Sequence, residues 1–129
     1  MDSNIEVGEI WLINIPWFNP SKEKFCIFIL AGYFFVINSK NNYPFSHPIL
    51  KKHYKFLKRD SYISCSILLQ LPEELPLIHR LGALTIETMD ELIRFIPSID
   101  TLSKIDQDKI INSLTIKIKE IKLSKLRRP

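Results

Sequence analysis

The feature that most constrains the fold is an apolar run over residues 25–38 that contains no charged side chain. The run is shorter than a membrane span requires, and Gly32 divides it. Phe25 to Ala31 is apolar throughout, which predicts a strand buried on both faces, and Tyr33 to Ser39 is predicted to be the next strand. Because Gly32 supplies a turn between them, we expect the two strands to pair as a β-hairpin.

Further strands are predicted before and after this hairpin from β-branched and aromatic runs that end at turn residues. The predicted strands are Val7 to Ile15, Ser61 to Leu71, His79 to Leu84 and, as a short edge strand, His53 to Leu57. Asn19-Pro20-Ser21 marks a turn, and the predicted loops are Lys40 to Pro48 and Glu73 to Ile78.

Two helices follow the strands. Thr85 is suited to cap the first helix, but Thr88 occupies the position of a capping-box acid, so the cap is expected to be partial. Apolar residues then repeat at helical spacing until Pro97 ends the helix. A second helix is predicted to begin near Ser103. The pattern of its last part fits a strand or a continued helix, and we favour the helix.

The order of strands followed by helices predicts an α+β fold, a small antiparallel β-barrel with C-terminal helices packed at one end. The length of 129 residues fits a single domain. We place that domain at residues 1–116 and a basic tail at residues 117–129.

Positive charge is concentrated in two segments of a chain whose net charge is +4. The basic strip, residues 40–59, holds six lysine or arginine residues and no acid. The basic tail, residues 117–129, holds six such residues and one acid. Such local charge is typical of a surface that binds an anion, and nucleic acid is the first candidate. A solvated, partly ordered chain end is the alternative for the tail.

The basic strip also mixes aromatic residues with its cations, a combination that suits single-stranded RNA because cations follow phosphates and rings stack on bases. The alternative is that the rings belong to the core and the lysines are merely solvated. A histidine in this strip could also act as an acid or base near neutral pH. The expected RNA-binding residues are Lys22, Lys40, Tyr43, Phe45, His47, Lys51, Lys52, His53 and Lys55.

Cysteine and histidine usage argues against a metal site. Cys26 and Cys65 lie in apolar runs, no CxxC pair is present, and the three histidines do not cluster with them. We therefore expect buried free thiols, no metal and no cofactor. The residues from Met1 to Glu6 lack the basic start of a secretory signal, so a cytoplasmic protein with no membrane span is expected.

Three segments, in this order, resemble the MazF/PemK family of RNA-cutting toxins. The first is Val7-Gly8-Glu9-Ile10-Trp11-Leu12, and the second is the Asp60-Ser61-Tyr62-Ile63 start of a strand. The third is Ile78-His79-Arg80-Leu81-Gly82-Ala83-Leu84-Thr85, which leads into a capped helix. Ile37-Asn38-Ser39 and the following Pro44-Phe45 resemble a shorter sub-branch of that family.

This resemblance implies an SH3-like barrel, a homodimer, and a metal-independent endoribonuclease that acts on single-stranded RNA and is held in check by an antitoxin peptide. The family motif Lys-x-Arg-Pro is matched by Lys22-Glu23-Lys24-Phe25, so Lys24 stands in place of the family's catalytic arginine. Ser39 matches the family's Ser or Thr at the end of the third strand. Lys24 and Ser39 are therefore the implied catalytic pair, although lysine offers a point charge and not a bidentate fork.

Two other functions fit the same residues. The chain can be an inactive barrel that binds RNA or a protein partner, with cleavage lost through the lysine at position 24. Alternatively, it is an interaction protein without a nucleic-acid role, which docks a peptide on its dimer surface or at Trp11, Trp17 and Phe18.

Overall fold

A computed structural model describes residues 5–15, 22–71 and 77–126. It has an α+β architecture, a six-stranded antiparallel sheet followed by two C-terminal helices, and this confirms the predicted class. The strands are β1 Glu9–Ile15, β2 Lys22–Leu30, β3 Tyr33–Asn38, β4 Ser46–Ile49, β5 Ser61–Gln70 and β6 Leu77–Ala83. The helices are α1 Ile86–Phe95 and α2 Lys104–Leu126, and two short 3-10 segments lie at Lys51–His53 and Ile96–Ser98.

The β2–β3 hairpin lies in the middle of the sheet, whose strand order is β4-β5-β3-β2-β1-β6. Gly32 forms its turn with φ of +79°, a backbone conformation that favours glycine. Residues 26–29 and 34–37 are all buried, so this hairpin is covered on both faces as predicted. No ladder joins β4 to β6 among the described residues, so in that part of the chain the sheet has two edges.

The two faces of the sheet carry different apolar clusters. One face packs against both helices and forms the larger core, which includes Ile27, Phe35, Ile63, Met89 and Leu114. The other face carries a smaller cluster whose buried members are Ile13, Ile15, Cys26, Phe28, Phe34 and Val36. The period-2 alternation of a strand sends neighbouring side chains into these two clusters.

The first helix begins and ends where the sequence predicted. Thr88 donates its backbone N–H to the Thr85 hydroxyl at 3.1 Å, which is the expected N-cap bond. Met89, Leu92 and Ile96 are buried, and the chain leaves α1 for the 3-10 segment that contains Pro97.

The second helix runs through most of the basic tail. Ile110, Leu114 and Ile118 are buried at helical spacing, which confirms the helical alternative as far as Leu126. The last three residues lie outside the described residues. None of the described helices is both long and apolar enough to cross a membrane.

Two predictions about the basic strip were wrong. Residues 46–48, the end of the loop predicted over Lys40 to Pro48, belong instead to β4, which pairs with β5 as an edge strand, and an edge tolerates the missing N–H of Pro48. The segment predicted as an edge strand, His53 to Leu57, instead follows a 3-10 turn. Tyr54 and Leu57 are both buried, and the Leu57 N–H donates to the Tyr54 carbonyl at 3.0 Å. Two buried side chains three residues apart require a turn, because a strand would point them to opposite faces.

Two other boundaries also differ from the sequence prediction. β6 begins at Leu77, so the end of the loop predicted over Glu73 to Ile78 is strand. β2 begins at Lys22, three residues earlier than predicted. The predicted turn at Asn19-Pro20-Ser21 lies outside the described residues.

Candidate functional site

A cavity of about 200 Å³ opens where β2 and β3 meet the start of β5. We call it the strand-end cavity. The β2–β3 register pairs Phe25 with Ile37, so the strands bring their polar ends to the same place. Its lining residues are Glu23, Lys24, Phe25, Ile37, Ser39, Leu57, Lys58 and Ser61.

Lys24 and Ser39, which the sequence singled out, both line the strand-end cavity. Lys24 is half-buried, and its Nζ donates to Asn38 Oδ1 at 2.8 Å. Ser39 directly follows Asn38 and is exposed. The hairpin therefore positions an ammonium group and a hydroxyl group around one space, with Asn38 orienting the ammonium.

Sequence reasoning did not identify Lys58 and Glu23 as part of this cavity. Lys58 is exposed and comes from the connection between β4 and β5, far in sequence from β2. Glu23 precedes Lys24 and is the carboxylate among the described lining residues. Lys58 directly follows Leu57, which is buried. A lysine next to an apolar residue was the sequence signal that could have indicated an exposed side chain at this point.

The positive charge of Lys24 also acts on the pKa of a buried thiol in the sheet. Burial raises the pKa of the Cys26 thiol to about 12, and the nearby Lys24 ammonium lowers it only slightly. Burial likewise raises the pKa of Cys65. Both cysteines are free and buried, so their thiols stay protonated and take no part in the cavity's chemistry.

A second and larger cavity, of about 380 Å³, lies between β4, the 3-10 turn and the start of α1. We call it the helix-cap cavity. Its lining residues are Pro48, Ile49, Leu50, His53, Tyr54, Thr85, Glu87, Thr88 and Glu91. The Tyr54 hydroxyl lies 2.7 Å from Thr88 Oγ1 and accepts the Thr85 N–H at 3.1 Å. The partial cap of α1 is therefore completed by a side chain from the basic strip.

The basic strip turns most of its rings inward and its cations outward. Tyr54 is buried, and Phe56 is half-buried with its ring edge-to-face on Phe25 at 5.1 Å between centroids. Phe45 is also half-buried and packs against the larger core. Tyr43 differs, because 54% of it is exposed while Ser46 Oγ donates to its carbonyl. The exposed cationic or titratable members are Lys40, Lys51, Lys52, His53, Lys55, Lys58 and Arg59.

A hydrogen bond closes the segment that presents these cations. The Lys51 N–H donates to Asp60 Oδ1 at 2.9 Å, and Ser61 Oγ donates to the Arg59 carbonyl at 3.0 Å. Together with the buried Tyr54 and Leu57, these bonds fix the ends and the middle of residues 51–60. The Asp-Ser pair noted in the sequence thus holds the strip in shape.

His47 is tied into the fold and does not project with the exposed cations. Its Nδ1 donates to the Pro48 carbonyl at 2.9 Å, and its Nε2 lies 3.6 Å from Glu91 Oε1. Its ring also packs on Phe95 at 5.5 Å between centroids. Of the other expected RNA-binding residues, Lys22 begins β2, but its side chain lies outside the described residues.

Glu9 organises the family-like opening strand. Burial raises its pKa, but hydrogen bonds from the Glu6 N–H, the Arg80 guanidinium and the Trp11 indole outweigh burial and hold the pKa of this carboxyl below its ordinary value of 4.5. Arg80 Nε is 2.8 Å from Glu9 Oε2. Trp11, named above as a candidate peptide contact, is half-buried here, while Trp17 and Phe18 lie outside the described residues.

Comparison with known proteins adds no family to this geometry. A scan against protein-family models finds no match, and a search of curated proteins finds no similar sequence.

Proposed function

We propose that this chain is a MazF/PemK-like toxin, an endoribonuclease that cleaves single-stranded RNA without a metal ion. The observation that carries the proposal is the strand-end cavity, where Lys24, Lys58 and Ser39 surround one space at the end of the basic strip. Two ammonium groups and a hydroxyl donor match the charge and the acceptor oxygens of a phosphodiester.

The proposed reaction begins with the RNA 2′-hydroxyl attacking the adjacent phosphorus. Glu23 accepts the hydroxyl proton, and the P–O5′ bond breaks. The leaving 5′ oxygen takes a proton from water, and the hydroxide that remains takes the proton held by Glu23. The products are a 2′,3′-cyclic phosphate and a 5′-hydroxyl, and Glu23 is again a carboxylate. Lys24 and Lys58 neutralise the charge that grows on the non-bridging oxygens, and Ser39 donates a hydrogen bond to one of them.

Lysine at position 24 fits this role through its anchoring. The Asn38 side chain receives one of its N–H groups at 2.8 Å, so the ammonium is aimed before substrate arrives. Fixing the cation in advance reduces the cost of reorganisation in the transition state. Lys58 adds a second point charge, which offsets the loss of the bidentate fork that arginine would provide.

The exposed cations of the basic strip supply the remaining RNA contacts in this proposal. Lys51, Lys52, Lys55 and Arg59 are exposed along one connection that ends at the strand-end cavity, and Tyr43 offers an exposed ring for stacking on a base. Their charge makes binding sensitive to salt.

The finer architecture implied by the family is also part of the proposal. We infer that the sheet belongs to an SH3-like barrel, because β5 bulges opposite Phe35, between residues 64 and 69, and a bulge bends its strand. A homodimer, an antitoxin peptide and a cytoplasmic location complete the family-like picture.

The test is incubation of the purified protein with a long single-stranded RNA in EDTA, beside Lys24→Ala and Ser39→Ala. The parent is expected to release discrete fragments with cyclic phosphate ends, and Lys24→Ala to slow cleavage by at least about 100-fold. Lys109→Ala, which removes an exposed lysine of α2, is the matched control and should cleave at the parent rate.

The inactive barrel is the second candidate, and the lysine at position 24 is the observation that favours it. If the parent protein binds RNA at high protein concentration but leaves it intact, the proposed ribonuclease activity is contradicted and the inactive barrel is supported. Lys24→Arg separates the two further, because it should raise cleavage if the cavity holds the scissile phosphate.

A further inference from the structure

The helix-cap cavity has a lining that the proposed phosphate site does not use. Part of its lining is apolar, formed by Pro48, Ile49 and Leu50, and Tyr54 lines it as well. Two acidic residues from successive turns of α1, Glu87 and Glu91, complete this part of the lining. A flat, largely apolar ligand with hydrogen-bond donors on one edge fits such a lining.

The hydrogen-bonding groups of the cavity further restrict the class of ligand that can bind there. The Tyr54, Thr85 and Thr88 hydroxyls are already joined to one another. Within residues 5–15, 22–71 and 77–126 the exposed Glu87 carboxylate makes no hydrogen bond or ion pair. Glu91 meets His47 through Oε1 at 3.6 Å and is half exposed. Glu87 and Glu91 therefore offer acceptors to a ligand that brings hydrogen-bond donors.

Basic residues adjoin the cavity in sequence, although two acids belong to its lining. His53 lines the cavity, and the exposed Lys51 and Lys52 belong to the same 3-10 turn. The connection then continues from Tyr54 to Lys58 at the strand-end cavity. Rings link the two cavities as well, since Tyr54 and Phe56 have centroids 6.2 Å apart and Phe56 contacts Phe25.

We propose that the helix-cap cavity binds one unstacked RNA base and selects guanine, while Lys51 and Lys52 hold the flanking phosphates. This inference rests on the proposed function. Guanine carries two donors, N1–H and the 2-amino group, on one edge, which one carboxylate accepts as a pair. Uracil presents a single N–H between two carbonyl oxygens, and those oxygens are repelled by the carboxylates. The exposed Pro48 and the half-buried Leu50 offer the apolar surface against which the face of the base packs.

The experiment measures the affinity of uncleavable 2′-O-methyl RNA 12-mers by fluorescence anisotropy in EDTA. One probe is all uridine, and the others carry a single central guanosine, inosine or adenosine. Guanosine should bind roughly tenfold tighter than uridine, as expected for one bidentate base contact. Inosine, which lacks the 2-amino group, should lie between them.

The decisive variants are Glu87→Gln and Glu91→Gln, with Asp90→Asn as the matched control on the same helix. At least one glutamine variant should lose the preference for guanosine, and its affinity for the uridine probe should stay the same or rise, because a charge that repels the uracil oxygens is gone. Asp90→Asn should keep both. Thermal unfolding of each variant checks that the fold is intact.

The outcomes separate this inference from the proposed function. Salt-sensitive binding of all probes with no preference for guanosine would overturn the base cavity and leave the RNA-binding strip in place. Binding of no RNA at all would overturn both. If the cavity binds an arginine-containing peptide through Glu87 and Glu91 but binds no RNA, the cavity is a protein-docking site and the base assignment is wrong.

Discussion

The basic strip and the basic tail have the same number of basic residues but differ in how the fold holds them. The part of the strip after β4, residues 51–59, is a connection anchored by the buried Tyr54 and Leu57. Asp60 closes it through a hydrogen bond, and a cavity lies at each end. The described part of the tail is the outer half of a helix. Lys117 and Lys125 border a cavity of about 370 Å³, but Glu6 and Glu120 line the same cavity and balance their charge. Lys117 pairs with Glu6 and lies 3.9 Å from Glu120. The tail's other described cations, Lys119 and Lys122, stand on the helix surface.

The difference shows that charge density alone does not define a binding site. A cation contributes to recognition when the fold sets it beside a space of the right shape, because positioning is then complete before the ligand binds. In the strip, Lys58 and Lys51 stand beside such spaces. In the tail, Lys119 and Lys122 are exposed on regular helix, where a nucleic acid would meet only a general positive potential.

The largest expected effect tests how firmly the middle of the strip is anchored compared with the exposed end of the tail. Tyr54→Ala removes a buried ring and the hydroxyl that caps α1, so it should lower the free energy of unfolding by about 3–5 kcal/mol. Leu123→Ala, at an exposed apolar position of the tail, should change it by less than about 0.5 kcal/mol. Urea denaturation measures both, and equal effects would break the comparison.

The second prediction concerns RNA affinity. Replacing Lys51, Lys52 and Lys55 with alanine should weaken binding of single-stranded RNA up to about a hundredfold at low salt and reduce the salt slope by about 2. The matched variant replaces Lys119, Lys122 and Lys125, which removes the same charge from the tail. The tail variant should reduce the salt slope by less than half of the reduction seen in the strip variant. A larger loss from the tail variant would reverse the assignment of the binding surface.

The third prediction concerns the exposed ring of the strip. Tyr43→Ala should weaken RNA binding by about tenfold, near the lower part of the range for one base stacked on an aromatic ring. The free energy of unfolding should hardly change, because 54% of this residue is exposed. Tyr43→Leu keeps apolar area without the ring and should weaken binding almost as much. If leucine restores full affinity, stacking is not the interaction.

The smallest effect concerns the contact that holds the tail to the opening strand. Glu9 accepts the Glu6 N–H, and Glu6 pairs with Lys117. Because the pKa of Glu9 is lowered in the fold, its stabilisation is present above pH 4.5 and is lost as pH falls through the lower, folded pKa. As pH falls below 4.5, the free energy of unfolding in urea denaturation should fall further for the parent than for Glu9→Gln. Asp90→Asn should follow the parent.

Much of the fold follows from local pattern, because hydrophobic period and turn chemistry act over a few residues. The apolar run split by Gly32 was enough to predict the buried hairpin, and Thr85 and Pro97 were enough to bound α1. The segment around Tyr54 failed because its aromatic residues have high strand propensity. Tyr54 is instead buried and hydrogen-bonded to Thr85 and Thr88 at the start of α1, 31 and 34 positions away, and these contacts override that propensity.

The candidate sites were predictable only in part. The hairpin register brings Lys24 close to Ser39, and a sequence that predicts the hairpin predicts that proximity. Lys58 reaches the same cavity across the fold, and Glu87 and Glu91 face the strip only because α1 packs beside β4. Such contacts depend on tertiary packing, which local pattern does not contain. The sequence left open whether Tyr54 is core or surface, and it placed His47 on the RNA-binding surface. The fold uses both to join the strip to α1.

The most direct test of the central claim is an NMR titration of the ¹⁵N-labelled protein with an uncleavable 2′-O-methyl single-stranded RNA. The account predicts amide shift changes at Lys24, Ser39 and residues 51–60, with little change over residues 119–126. Changes confined to the outer half of α2, or no change at saturating RNA, would contradict the assignment of the strip and its strand-end cavity as the RNA-binding surface.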